Sequence, residues 1–388
     1  MKYIALSSTL FLALVCAAMS VHSSNELARS PTQFADYLQD NFDDYLEETK
    51  RWVREHRIYR SANTELEVEL NSPFELKPDN PNGKAILLVH GLSDSPYSFS
   101  DVAKRLSDQG YLVRALLLPG HGAKPADLML PEIEDWLVMV SHHTDMLAKE
   151  ADEVWLGGFS TGANLAMIEA IDNQEVSGAL LFSPAIISRK PLDFLAPWAK
   201  YLMDWADVDP EVSITRFDSL TMNGAALYYE SSKMLRDRLE SVGFDRPVMF
   251  TLSESDSVVD SEAVYTYFNE HFTHAENKLV WYGEREWEDA KVNAFSMKLP
   301  EKRISTGSHM SALYSPSNPF YGKNGSFKVC NNGQSESQEK ACEEGAETWY
   351  SSFDYSEKDK THSRLTWNPY FEETMRIVLY LLGDATKP

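Results

Sequence analysis

At 388 residues the chain is long enough for one large catalytic domain with insertions, or for two modest domains. Apolar residues make up 43 % and aromatic residues 12 % of it, which supplies a substantial core. The 59 acidic residues against 36 basic ones give a net charge of −23 spread along the chain, a surface poorly suited to nucleic acid or an anionic membrane, so neither is an expected partner.

In chain order, residues 1–23 read as a signal peptide. Lys2 gives a positive start, Ile4 to Ala18 are largely apolar, and Ala17, Ala18, Ser20 and Ser23 supply small residues for cleavage. The apolar run is too short for a permanent membrane span. Export, periplasmic or secreted, is the expected address. Cys16 stands where a lipidated cysteine would, but Val15 is large for the position before it, so lipoprotein anchoring is the lesser expectation. With Cys16 removed, Cys330 and Cys342 are the remaining pair, and an even count in an oxidising compartment predicts a disulfide rather than a metal site.

Residues 24–60 form a segment with a predicted amphipathic helix from Pro31 to about Arg57, its apolar positions Phe34, Leu38, Phe42, Tyr45, Leu46, Trp52 and Val53 recurring at helical spacing. Leu66 to Leu70 alternates with acidic residues as a half-buried strand does. Residues 61–388 then read as one α/β domain. Apolar strands are expected at Ala85 to Val89, Leu112 to Leu118, Glu153 to Leu156, Gly178 to Phe182, Val248 to Leu252 and Lys278 to Trp281. Helices are expected at Tyr97 to Leu106, Ile133 to Lys149 and Asn164 to Ile171, with a last one at Tyr370 to Leu382. Apolar strands separated by helices predict a mostly parallel central sheet flanked on both faces. The alternation is interrupted at about 184–247, expected to form a helical cap with a second helix near Ala225 to Leu239. A Gly, Asn, Ser and Glu-rich stretch at about 321–363, containing both cysteines, is expected to be a surface excursion.

The chemistry centres on Gly158, Phe159, Ser160, Thr161 and Gly162, a G-x-S-x-G motif between a predicted strand and a predicted helix. A nucleophilic serine on such a turn needs small neighbours for close backbone approach, and the helix N-terminus behind it directs amides at developing negative charge. The chain here resembles the α/β-hydrolase superfamily, and more closely its monoacylglycerol-lipase-like, lysophospholipase-like branch. The resemblance is carried by Leu88 to Leu92 with His90 and Gly91, by Ser93 to Phe99, by Leu118 to Gly122 with His121, and by Gly158 to Gly162, over most of Lys84 to about Ser311 plus the terminal helix.

That resemblance implies a catalytic set in chain order. Ser160 is the nucleophile, Asp256 the acid after a strand end with Glu254 and Asp260 as its rivals, and His309 in Gly307–Ser308–His309–Met310 is the base. It also implies an oxyanion hole from the backbone amides of Leu92 and Thr161, with His90, Gly91, Gly158 and Gly162 supporting the motifs. No metal or organic cofactor is required. Phe194, Leu195, Trp198, Tyr201, Leu202 and Trp205 give the cap an apolar stretch, either packing it to the core or touching substrate. The expected activity is hydrolysis of carboxylic esters of apolar or fatty acyl groups, monoacylglycerol or lysophospholipid-like, through an acyl-enzyme. A proline-type aminopeptidase is the alternative within the fold, and an exported non-catalytic binding protein the alternative outside it.

Overall fold

The computed structural model describes residues 31–384; the signal segment and Cys16 lie outside the described residues. The chain opens with α1 (Phe42–His56), α2 (Thr64–Leu70), β1 (Phe74–Leu76) and β2 (Lys84–Val89). There follow α3 (Ser100–Ser107), β3 (Leu112–Leu116), α4 (Ile133–Ala148), β4 (Glu153–Phe159), α5 (Thr161–Asp172) and β5 (Val176–Phe182). After α6 (Ala196–Ala199), β6 (Trp205–Asp207), β7 (Leu220–Thr221) and α7 (Met222–Val242) come β8 (Val248–Ser253), α8 (Ser261–His271), β9 (Lys278–Tyr282) and β10 (Val292–Phe295). The last elements are α9 (Glu336–Glu343), β11 (Thr348–Ser351), β12 (Thr361–Arg364) and α10 (Phe371–Leu381).

Eight strands form one sheet in the order β1-β3-β2-β4-β5-β8-β9-β10. Only β1 at its edge runs antiparallel; every other pairing in this sheet is parallel. The central strands are apolar over most of their length because both faces are covered. One core cluster joins alternate residues of β2, β4, β5 and β8 to α4, α5, α7 and α8, and the other joins the opposite face to α3 and α10. This is the doubly covered, mostly parallel α/β-hydrolase architecture. Reversal of strand order beside β2 and β4 puts the carboxyl ends of the central strands around a common crevice. No helix among the described residues is long and apolar enough to cross a membrane.

Four local expectations change. The Pro31-to-Arg57 helix begins only at Phe42, where Asn41 caps it by accepting from the Asp44 amide, while Thr32 and Tyr37 instead bond Asp127 and Asp135. The expected strand at Leu66 to Leu70 is helix α2, capped by Asn63. Alternation failed as a signal there because Glu67 points inward: Arg57 Nε donates to Glu67 Oε2 at 2.9 Å, and both side chains are fully buried. The cap is not purely helical, since β6 and β7 form a small antiparallel ribbon within it.

The Cys-containing stretch is also more than a surface excursion. Tyr321, Val329 and Tyr350 are buried in the second core cluster, β11 and β12 pair, and Cys330 and Cys342 form a disulfide with Cα atoms 5.8 Å apart. The cap loop before β7 is held from below by the N-terminal segment. Arg57 donates to the carbonyls of Gly122 and Ile214 (2.8 Å each), Arg60 to the Ser213 carbonyl and Glu211 (2.8 and 2.7 Å), and Asn71 to the Ile214 carbonyl (2.7 Å).

Candidate active site

Ser160 stands between the end of β4 and the start of α5 with φ 54° and ψ −118°, a conformation L-residues avoid unless the surroundings impose it. Close packing imposes it here. A Cβ on Gly162 would lie 2.1 and 2.2 Å from the carbonyl oxygens of Val89 and His90, and one on Gly158 would lie 2.3 Å from the Gly162 carbonyl oxygen. The end of β2 is thereby drawn against the serine turn. The Ser160 amide donates to the Phe182 carbonyl at 3.0 Å, tying the turn to β5 as well.

The loop after β2 is fixed by two histidines. His90 Nε2 accepts from the Leu118 amide at 3.1 Å, and Nδ1 faces the Gly91 carbonyl at 2.8 Å, which places the ring proton on Nδ1. His121 Nε2 accepts from the Ser93 amide at 3.0 Å, and its Nδ1 faces the Leu118 and Pro119 carbonyls. Both rings are buried, pack edge-on at 4.7 Å, and are held neutral. Burial pushes His90 down to about 4 and His121 well below the usual imidazole value, with His90 adding to the latter. They act as latches between the loops after β2 and β3 rather than as bases. The latched loop presents the Leu92 amide with no acceptor among the described residues, and the Thr161 amide is the first of α5 and has no intrahelical acceptor. Both amides are thus left as free donors on the two loops that Gly162 brings together.

Asp256 follows β8 and is almost completely buried. Its Oδ1 accepts from the Val258 and Val259 amides at 2.8 and 2.9 Å, and its Oδ2 lies 2.7 Å from His309 Nδ1. The rival acids are otherwise occupied: Glu254 accepts from Trp281 and the Glu284 and Arg285 amides, and Asp260 caps α8. His309 sits on a loop whose carbonyl accepts from Ser183 Oγ at 3.0 Å, one residue past the β5 carbonyl that holds Ser160. Its ring lies 5.0 Å from that of Phe159, the residue before the serine. With Nδ1 on Asp256, Nε2 is the ring nitrogen left to exchange a proton. Ser160 Oγ and this nitrogen are not hydrogen-bonded in the present arrangement, a contact that commonly tightens only with substrate bound.

Asp94, which sequence reasoning passed over, belongs to the same surroundings. It is buried two residues beyond Leu92, and its carboxyl is raised to about 7, chiefly by burial; the Ser95 amide, Arg216 and His309 oppose that rise. Its position after the oxyanion-loop motif was the available signal, but its neighbours come from the distant cap and from the His309 loop.

The apolar cap residues are mostly exposed. Trp198, Tyr201 and Leu202 are 75, 78 and 88 % exposed, Phe194 and Leu195 are also exposed, and Trp205 is half-buried. Exposure of this size rules out core packing for Trp198, Tyr201 and Leu202.

A family model described as serine aminopeptidase, S33, matches residues 80–227, which includes Ser160 but ends before Asp256 and His309. The chain is 27 % identical over 101 residues to the thermostable monoacylglycerol lipase of Bacillus sp. (strain H-257), an alignment covering 26 % of this chain and 40 % of that enzyme. It is 21 % identical over 225 residues to a carboxylesterase of Bacillus subtilis (strain 168), covering 56 and 89 % of the two chains. Among solved structures, a soluble variant of monoglyceride lipase from Saccharomyces cerevisiae in complex with a substrate analog matches with a TM-score of 0.46 at 15 % identity, covering 57 % of this chain and 85 % of that one. The monoacylglycerol lipase of Paleococcus ferrophilus matches with a TM-score of 0.44 at 17 % identity, covering 58 and 88 %.

Proposed function

We propose that this chain, an α/β hydrolase of the monoacylglycerol-lipase-like branch, cleaves carboxylic esters through an acyl-enzyme on Ser160, with apolar or fatty acyl groups as its substrates. The observation that carries the reading is the 2.7 Å contact between His309 Nδ1 and the buried Asp256, beside a serine held at positive φ on a strand-to-helix turn.

In this reading His309 Nε2 takes the proton of Ser160 as Oγ attacks the ester carbonyl. Asp256, its other oxygen pinned by two amides, holds the ring tautomer and stabilises the imidazolium. The Leu92 and Thr161 amides receive the negative charge of the tetrahedral intermediate. His309 returns the proton to the leaving alcohol, and a water deprotonated by the same nitrogen then releases the acid and regenerates Ser160. Nothing in this scheme calls for a metal or organic cofactor. An aminopeptidase would need a carboxylate free to receive the substrate ammonium. Asp94, a buried carboxylate two residues beyond Leu92, has its charge partly offset by Arg216, which does not favour it for that task. Export remains part of the proposal, supported by the leader pattern and by the Cys330–Cys342 disulfide.

The test is a panel of p-nitrophenyl esters from acetate to palmitate, with monoacylglycerol, lysophosphatidylcholine and aminoacyl-p-nitroanilides beside it. Hydrolysis of the esters, together with fluorophosphonate labelling lost in Ser160→Ala, is expected. Preferential cleavage of the anilides, or labelling that survives the substitution, would refute it.

A further inference from the structure

The peptide groups around Leu92 are tied end to end. Every peptide bond among the described residues is trans, so each planar unit turns its C=O and its N–H in opposite directions. Holding one end of a unit fixes the aim of the other. The Leu92 N–H belongs to the Gly91–Leu92 unit, whose carbonyl accepts from the Asp94 amide at 3.2 Å and from His90 Nδ1 at 2.8 Å. The Asp94 N–H belongs in turn to the Ser93–Asp94 unit, whose carbonyl accepts from the Phe217 amide at 2.7 Å. The Phe217 N–H belongs to the Arg216–Phe217 unit, whose carbonyl accepts from Arg60 Nη1 at 3.3 Å.

Three peptide units therefore run head to tail from a guanidinium on the N-terminal segment, through the cap loop, to the amide of Leu92. Their surroundings leave them little freedom. Ser93 is held at φ 61°, a left-handed conformation that is costly for an L-residue, with its amide on His121 Nε2 at 3.0 Å. Phe217 is buried, and its ring stacks on that of His121 with centroids 6.1 Å apart and planes within 6°. Arg60 lies between α1 and α2 with only 7 % of its side chain exposed. It is fixed by the Ser213 carbonyl (2.8 Å) and Glu211 (2.7 Å), and its own amide donates to Glu67 at 2.8 Å.

Peptides linked in this sense polarise one another, so each N–H is strengthened as a donor by the bond its own carbonyl accepts. Glu211 balances the charge of Arg60, and what the line delivers to Leu92 is therefore alignment more than a distant field. The Thr161 amide is set by α5 and lies outside the line.

We infer that Arg60 is a positioning residue of the oxyanion hole: through the Arg216–Phe217, Ser93–Asp94 and Gly91–Leu92 peptides it holds the Leu92 amide on its aim. The inference rests on the ester-hydrolase reading and deepens it, since it gives the N-terminal segment and the cap loop a part in turnover itself.

Arg60→Met breaks the line at its start. Turnover is measured on a preferred p-nitrophenyl ester, per active site titrated with a fluorophosphonate. The kcat is expected to fall about tenfold with KM within about twofold, short of the roughly 10²–10³-fold that removal of a whole oxyanion donor costs. Inhibition by an alkyl trifluoromethyl ketone, whose serine adduct places a negative oxygen in the hole, should weaken by the same factor. Arg60→Lys keeps the charge and one donor to the cap loop. Its kcat should lie between the two, and it serves as the test if Arg60→Met fails to fold. Tyr321→Phe is the control: it removes hydrogen bonds to Ser213 and Thr215 of the same loop, outside the line, and should leave kcat within about twofold. An unchanged kcat in the Arg60 variants, or an equal fall in Tyr321→Phe, would overturn the inference. The amide resonances of Ser160→Ala protein carrying isotope-labelled leucine separate this outcome from failure of the hydrolase reading. The Leu92 signal, assigned by its absence from Leu92→Met, is expected to shift when the Arg60 substitution is added. Such a shift supports the line of peptides even if no ester is cleaved. Ester cleavage with an unmoved Leu92 signal leaves the hydrolase and removes Arg60 from its oxyanion hole.

Discussion

The floor of the site, from Val89 to Phe182, is held by backbone contacts so close that a single methyl at Gly158 or Gly162 has nowhere to go. The roof, from the cap loop to the disulfide-bearing insertion, is held by side chains that cross long stretches of chain, such as Arg57 reaching the Ile214 carbonyl over a separation of 157 residues. The floor therefore fixes where Ser160 and the Thr161 amide stand, the proposed nucleophile and one of its proposed oxyanion donors. The roof fixes what can be brought to them, and its contacts can be altered one at a time. In the proposed reading chemistry and selectivity fall to structures held in different ways, a division that lets one scaffold serve many substrates.

The comparison can be tested from both sides. The largest expected effect is on the floor: Ser160→Ala or His309→Ala should lower kcat by a factor of about 10³ or more with little change in the urea midpoint. A loss under tenfold on a preferred ester would mean the chemistry lies elsewhere. The Arg57→Met substitution strikes the roof's main support. It strands the buried Glu67 carboxylate and frees two carbonyls, and should destabilise by about 3–5 kcal/mol in equilibrium denaturation. A cost under 1 kcal/mol would show that the cap stands without the N-terminal segment.

Removing the disulfide with the double substitution Cys330→Ser and Cys342→Ser should cost about 3 kcal/mol for a loop of this size. The loss should fall on the roof: proteolysis within the insertion should accelerate more than within the sheet.

The histidine latches give a pH signature. His90 is held down to about 4 and His121 well below the usual imidazole value, in each case chiefly by burial. Unfolding lets them take up protons below about 6.5, so the stability they contribute is full above that pH and is lost as pH falls towards 4. The loss is about 2–3 kcal/mol for His90 alone. Asp94, raised to about 7, and Asp127, raised to about 6, work in the opposite direction, since each is destabilising once the unfolded carboxyl ionises. Asp94→Asn should therefore steepen the fall in Tm on acidification between pH 6.5 and 4; a shallower curve would assign the acid sensitivity to other groups. The smallest effect is expected at the cap's outer edge. Trp198→Ser and Leu202→Ser should each change stability by less than about 0.5 kcal/mol, because these side chains are 75 and 88 % exposed. A larger loss would mean that this edge is covered in solution.

What the sequence alone determined lies mostly in the floor. The apolar strands, the glycines around Ser160 and the order of the motifs are local patterns, and a strand covered on both faces or a turn with no room for a Cβ constrains residue type directly. The place of Asp256 after an apolar strand was legible for a related reason, and the family resemblance singled it out; its contact with His309 was not legible. Glu254 and Asp260 looked alike in sequence and were separated only by what each carboxylate accepts in space. The roof was largely illegible. Glu67 read as the polar face of a strand because alternation cannot show that Arg57 neutralises it inside, and the aromatic run at 194–205 could not show that Trp198, Tyr201 and Leu202 are exposed rather than packed in the core. The stretch from 321 to 363 read as surface although Tyr321, Val329 and Tyr350 within it complete a core. Those facts depend on pairings between distant residues. A side chain carries no mark of its partner, so only the tertiary structure decided which charges of this acidic chain are buried and which are paired.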